Sequence, residues 1–124
     1  MGAEETVRDY YEALRRGEPL HPFFAAREDV VKFGISERLT GYDEIAAGLR
    51  EQTDTTADWS VGSERLRVVE GREFARFSDD VRLAWADART GRRRAFDTRW
   101  SGVLERDEDE WVFTGMHVSV AREL

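Results

Sequence analysis

The chain has 124 residues and a net charge of −7, with 26 acidic and 19 basic side chains. That size suits one domain, and 40% hydrophobic residues are enough to fill one core. The acidic balance opposes long-range attraction to nucleic acid or anionic membranes. Without cysteine, neither disulfides nor thiolate metal sites can form. His21 and His117 are the only histidines, and no metal-ligand spacing surrounds them.

In chain order, residues 4–16 predict a helix. Val7, Tyr10, Tyr11 and Leu14 recur at three- and four-residue spacing. Acids lead the segment and arginines close it, as the helix dipole favours, and Gly17 supplies the stop. Residues 20–26, bounded by Pro19 and Pro22, predict a brief second helix that tucks Phe23 and Phe24 under the first. Residues 29–35 are β-branched and aromatic, which predicts a strand. A further helix is expected over 42–53, with Ile45, Leu49 and Gln52 on its inner stripe.

Everything after Asp58 reads as strand: 59–69, 74–86, 95–104 and 111–120, separated by polar turns. The basic cluster Arg92, Arg93 and Arg94 follows Thr90 and Gly91, and reads as a solvated hairpin turn. Helices over one face of a strongly curved antiparallel sheet make a two-layer α+β fold, which leaves a conical hollow. Residues 1–124 are expected to form one domain. With no apolar run long enough to span a bilayer and no basic, apolar leader in Met-Gly-Ala-Glu-Glu, the expected location is cytoplasmic.

Three segments resemble the SnoaL-like branch of the nuclear transport factor 2 superfamily. ETVRDYYEALRRGE resembles its opening helix, and VVKFGISERLTGYDEIAAGLREQ its first strand, turn and Gly-led helix. RWSGVLERDEDEWVFTGMHVS resembles its last hairpin. The resemblance covers about residues 4–121. It implies a nuclear transport factor 2-like, cystatin-like roll: a cone-shaped curved antiparallel sheet packed against about three N-terminal helices.

The resemblance also implies a wall for a cavity. Strand alternation puts Trp100 with Met116 and Val118 on one face, and Arg99 and Ser101 with His117 and Ser119 on the other. Trp111 and Phe113 fall on the His117 side of that alternation, and a one-residue slip would exchange the faces. The resemblance assigns the Trp100 face to the pocket and the Arg99 face to contact between two copies of the chain. Tyr11, Phe33, Trp59, Trp100, Met116 and Val118 are the candidate ligand-binding residues, with Phe24 a further aromatic. Arg99, Ser101, His117 and Ser119 are the candidate interface or alternative polar site.

Enzymes of the superfamily carry an acid on the first strand and a tyrosine on the first helix. Tyr11 occupies the tyrosine position, whereas the acid position falls on Phe33, which cannot act as a base. That departure argues against catalysis. Asp58, Asp80 and Asp97 are other carboxylates in strand regions, and His117 is an alternative base with a suitable ordinary pKa. The reading is therefore a homodimer that binds a small, mostly apolar molecule in the hollow, without cofactor or metal. The alternatives are a polyketide-cyclase, isomerase or dehydratase type of enzyme, and a structural module for homo-oligomerisation.

Overall fold

The computed structural model describes residues 2–124. Helix α1 spans Ala3–Arg16 and buries Val7, Tyr10, Tyr11 and Leu14. Gly17 ends it at φ 68°, a left-handed conformation that glycine adopts without a Cβ clash. A single 3₁₀ turn follows at His21–Phe23, where Pro22 removes a backbone donor. Helix α2 spans Tyr42–Thr55, buries Ile45, Ala46 and Leu49, and runs directly into the sheet. Two α-helices and a 3₁₀ turn thus stand where about three N-terminal helices were expected, and α2 follows the first two strands.

The strands are β1 Val31–Phe33, β2 Arg38–Thr40, β3 Thr56–Ser63, β4 Arg67–Glu70, β5 Phe74–Asp87, β6 Arg93–Asp107 and β7 Glu110–Val120. They form one curved, unclosed sheet ordered β2-β1-β7-β6-β5-β3, with β4 also paired to β5. The sheet is mixed, not wholly antiparallel, because β1 lies parallel to β7. The fold is α+β, as expected from the sequence.

Three local features depart from the sequence reading. The run 59–69 is broken into β3 and β4, where the Arg65 N–H turns to donate to Asp79 Oδ1 at 2.9 Å. Residues 29–35 keep only three strand residues, followed by a short turn in which the Gly34 N–H donates to the Glu37 carbonyl at 3.0 Å. Finally, a bulge interrupts β6–β7: Val103 faces Gly115, but Leu104 faces Phe113. Thr114 is the extra residue, and it reverses the alternation of β7. Trp111 and Phe113 therefore join Met116 and Val118 inside, contrary to the alternation read from sequence.

The core lies between the inner face of the sheet and the helices. Tyr10 is its hub, packing edge-on against Phe23, Phe24, Trp100 and Phe113 with ring centroids 5.4–6.1 Å apart. Phe77, Val81 and Leu83 of β5 and Leu104 of β6 complete it.

Candidate functional site

A cavity of about 550 Å³ opens beside this core, between α2, the β1–β2 turn and the strands β3, β5 and β6. Its apolar wall is built by strand alternation on three neighbouring strands. Trp59 of β3 stacks on Trp85 of β5 at 4.7 Å and 22°. Trp85 in turn lies 5.6 Å from Phe96 of β6. Leu83, Trp100 and Val118 continue the wall toward Tyr10. The indole orientations are held locally: Trp59 Nε1 donates to Thr56 Oγ1 at 2.8 Å, and Trp100 Nε1 to Thr98 Oγ1 at 2.9 Å.

The opposite side is polar. Lys32, the sole lysine of the chain, projects inward from β1 and is only 5% exposed. Its Nζ donates to Glu37 Oε1 at 2.8 Å, from a carboxylate side chain that is 36% exposed. Glu51 and Arg94, both exposed, mark the mouth. The Arg94 guanidinium sits 5.9 Å over the Phe96 ring. Burial, helped by the Glu37 charge, raises the Tyr10 hydroxyl far above its ordinary range, so this tyrosine remains protonated.

The candidate residues from the sequence separate into three groups. Trp59, Trp100 and Val118 line the cavity. Tyr11 and Met116 are buried but do not line it, and neither does Phe24. Phe33 is 41% exposed on the outer face, 5.6 Å from the His117 ring. The inward position of β1 is thus Lys32, one residue before the position the sequence reading assigned. A three-residue strand carries too little alternation to set its own faces.

The outer group is brought together by the β6–β7 register, which sets Arg99 opposite Ser119 and Ser101 opposite His117. His117 is exposed and faces away from the cavity. His21 lies elsewhere, its Nδ1 3.0 Å from the Tyr42 hydroxyl. Asp80 pairs with Arg65 at 3.0 Å and Asp97 with Arg82 at 2.8 Å, both at the surface, while Asp58 is exposed at a break in the register of β3, at φ 54°.

The buried carboxylate is Asp79, which the sequence reading did not single out. It is 4% exposed and accepts from Tyr11 Oη at 2.9 Å, Ser63 Oγ at 2.6 Å and the Arg65 N–H at 2.9 Å. Desolvation, reinforced by the Asp79 charge, raises Tyr11 well above the ordinary phenol range and keeps it a donor. The cluster is enclosed by α1, β3 and β5 and does not border the cavity. Among the described residues, no three His, Asp or Glu side chains gather as a metal site.

Lys32, Glu37, Trp85 and Phe96 were also unforeseen as site residues. A single lysine among 18 arginines, set in an apolar strand, was the available signal for the first.

No curated protein matches the chain. Solved structures that resemble it include a nuclear transport factor 2-like superfamily protein from Salmonella enterica, with a TM-score of 0.83 at 14% identity, covering 96% of this chain and 88% of that one. A ketosteroid isomerase-like protein from Erwinia carotovora gives 0.78 at 16% identity, covering 97% and 94%. A nuclear transport factor 2-like protein of unknown function from Pseudomonas putida gives 0.80 at 14% identity, covering 98% and 85%. At these identities the likeness establishes the fold. The SnoaL-like domain model matches residues 3–123, so the chain belongs to the SnoaL-like family, and its fold is nuclear transport factor 2-like.

Proposed function

We propose that this protein binds a small, mostly apolar molecule in the cavity beside Tyr10. The observation that carries the reading is the aromatic wall of Trp59, Trp85 and Phe96, lining about 550 Å³ of space instead of closing on itself. Such a hollow matches the size and character of small-molecule sites, which pair apolar walls with a few polar anchors. A neutral reporter dye, N-phenyl-1-naphthylamine, should bind with enhanced emission and be displaced by the natural ligand. Trp85→Ala should weaken it, since truncation removes the middle of the stack. No binding of any apolar probe, with a folded protein, would overturn the reading.

Binding without catalysis is favoured over the cyclase, isomerase or dehydratase alternative by the placement of the acids. Asp79 is committed to three donors outside the cavity, the inward position on β1 is a lysine, and Glu37, whose carboxylate enters the cavity, is paired with that lysine.

We further infer a homodimer that uses the outer face of the sheet. Phe33 and Val103, 41% and 43% exposed, flank the polar set of Arg99, Ser101, His117 and Ser119 there. Exposed apolar side chains beside polar ones suit association, and arginine supplies forked donors for a partner's carboxylates or carbonyls.

A further inference from the structure

Lys32 is an unusual wall residue. A buried ammonium is costly unless paired, and among the described residues this one has a single protein acceptor, Glu37, for its three N–H donors. Its partner is not fixed in the core. Glu37 comes from the turn between β1 and β2, and its carboxylate reaches back over the backbone of Gly34. A Cβ at position 34 would fall 2.7 Å from both Cγ and Oε1 of Glu37. The glycine therefore makes room for a carboxylate that enters the cavity from a solvent-facing turn.

Resting on the pocket reading above, we propose that the cavity is specific for small aromatic carboxylic acids, whose carboxylate replaces that of Glu37 on Lys32. The aromatic body lies along Trp59, Trp85 and Phe96, and the acid points to β1. Glu37 then acts as an internal stand-in that keeps Lys32 paired while the site is empty and swings outward when a ligand enters. The exchange conserves the charge-assisted hydrogen bond, so little electrostatic energy is gained over the empty state. Its effect is selectivity: a neutral ligand of the same shape cannot replace Glu37 and is left with a less complementary polar end.

The test compares 2-naphthoate with 2-naphthamide, two molecules of equal ring system that differ in charge. Binding is followed by tryptophan fluorescence and calorimetry. Naphthoate should bind the unaltered protein more tightly by about tenfold, the order expected when the polar end of the amide is left poorly paired. Because Lys32 is the sole lysine, lysine labelled with ¹³C at Cε yields one side-chain NMR signal, which naphthoate should shift strongly and naphthamide weakly.

Glu37→Gln removes the competing charge, and Gly34→Ala crowds the stand-in out of its place. Both should tighten naphthoate severalfold and leave naphthamide nearly unchanged. Lys32→Met should erase the preference. Equal binding of the two compounds by the unaltered protein, or a preference that survives in Lys32→Met, would overturn the proposal while leaving the pocket intact. If neither naphthalene compound nor the neutral dye binds, the pocket reading itself fails. The comparison in the unaltered protein decides the matter even if a variant does not fold.

Discussion

The Tyr11 hydroxyl donates to the Asp79 carboxylate at 2.9 Å, tying α1 to β5 across 68 residues of sequence. With Ser63 and the Arg65 N–H, it completes the coordination of a carboxylate that is almost wholly inside the protein. Removing one donor leaves the charge short of a partner in a poorly solvated place. Tyr11→Phe should therefore cost about 1–3 kcal/mol by urea denaturation, the range for an orphaned buried polar group. Asp79→Asn should be destabilising as well, because one amide arm presents donors to donors. Ligand affinity in folded Tyr11→Phe should be unchanged, since the pair does not border the cavity. A large loss of binding would place Tyr11 in the site.

Gly102 and Gly115 sit at the bulge of the last hairpin but differ in what surrounds them. A Cβ on Gly102 would meet Phe77 Cε1 at 2.6 Å and the Gly115 carbonyl at 2.5 Å, whereas one on Gly115 meets nothing within 4 Å. Gly102→Ala should thus destabilise the fold by about 1–3 kcal/mol through overpacking, and Gly115→Ala by much less. Thermal denaturation of the two variants side by side checks this. Equal midpoints would contradict the packing described for the bulge.

Arg27 joins two carboxylates at the surface, Asp29 and Glu105, each at 2.9 Å. Its hydrogen bonds hold both acids below the usual carboxylate range. Depressed folded-state values contribute stability that is fully present above the unfolded pKa of about 4 and disappears as pH falls through the lower folded values. The difference in urea midpoint between the unaltered protein and Arg27→Gln should be small at neutral pH, and should shrink toward zero as the solution is acidified below about pH 4. Added salt should shrink it as well. A gap that widens in acid would reverse the assigned sign.

If the outer face associates, Arg99→Glu places a negative charge beside its own copy across a twofold contact. Sedimentation velocity should show a dimer for the unaltered protein and a shift to monomer for the variant, with unchanged far-ultraviolet circular dichroism. A dimer that persists unaltered would move the contact elsewhere.

Much of the architecture was legible before any coordinates. The 3.6-residue spacing of Val7, Tyr10, Tyr11 and Leu14 and the stop at Gly17 determine α1 almost to the residue. The inward run Thr98, Trp100 and the register of Trp100 with Val118 follow from period-two alternation in a long hairpin. The same rule fails at Phe113, because a bulge is one extra residue, and nothing in residues 111–116 announces on which side of Thr114 the alternation breaks. It fails again at Lys32 and Phe33, where a three-residue strand leaves the two faces undetermined.

By itself, then, the sequence determined the two-layer α+β class, the acidic net charge and the long strands, since these depend on local periodicity and composition. Tertiary structure decided which side chains join Trp59, Trp100 and Val118 in the cavity. Lys32 and Glu37 meet because a parallel β1–β7 pairing and a tight turn orient them. Asp79 meets Tyr11 only when α1 lies across β5. The first meeting needs a neighbouring strand to set the face of β1 and the second needs packing between distant segments, and neither spacing nor composition encodes them.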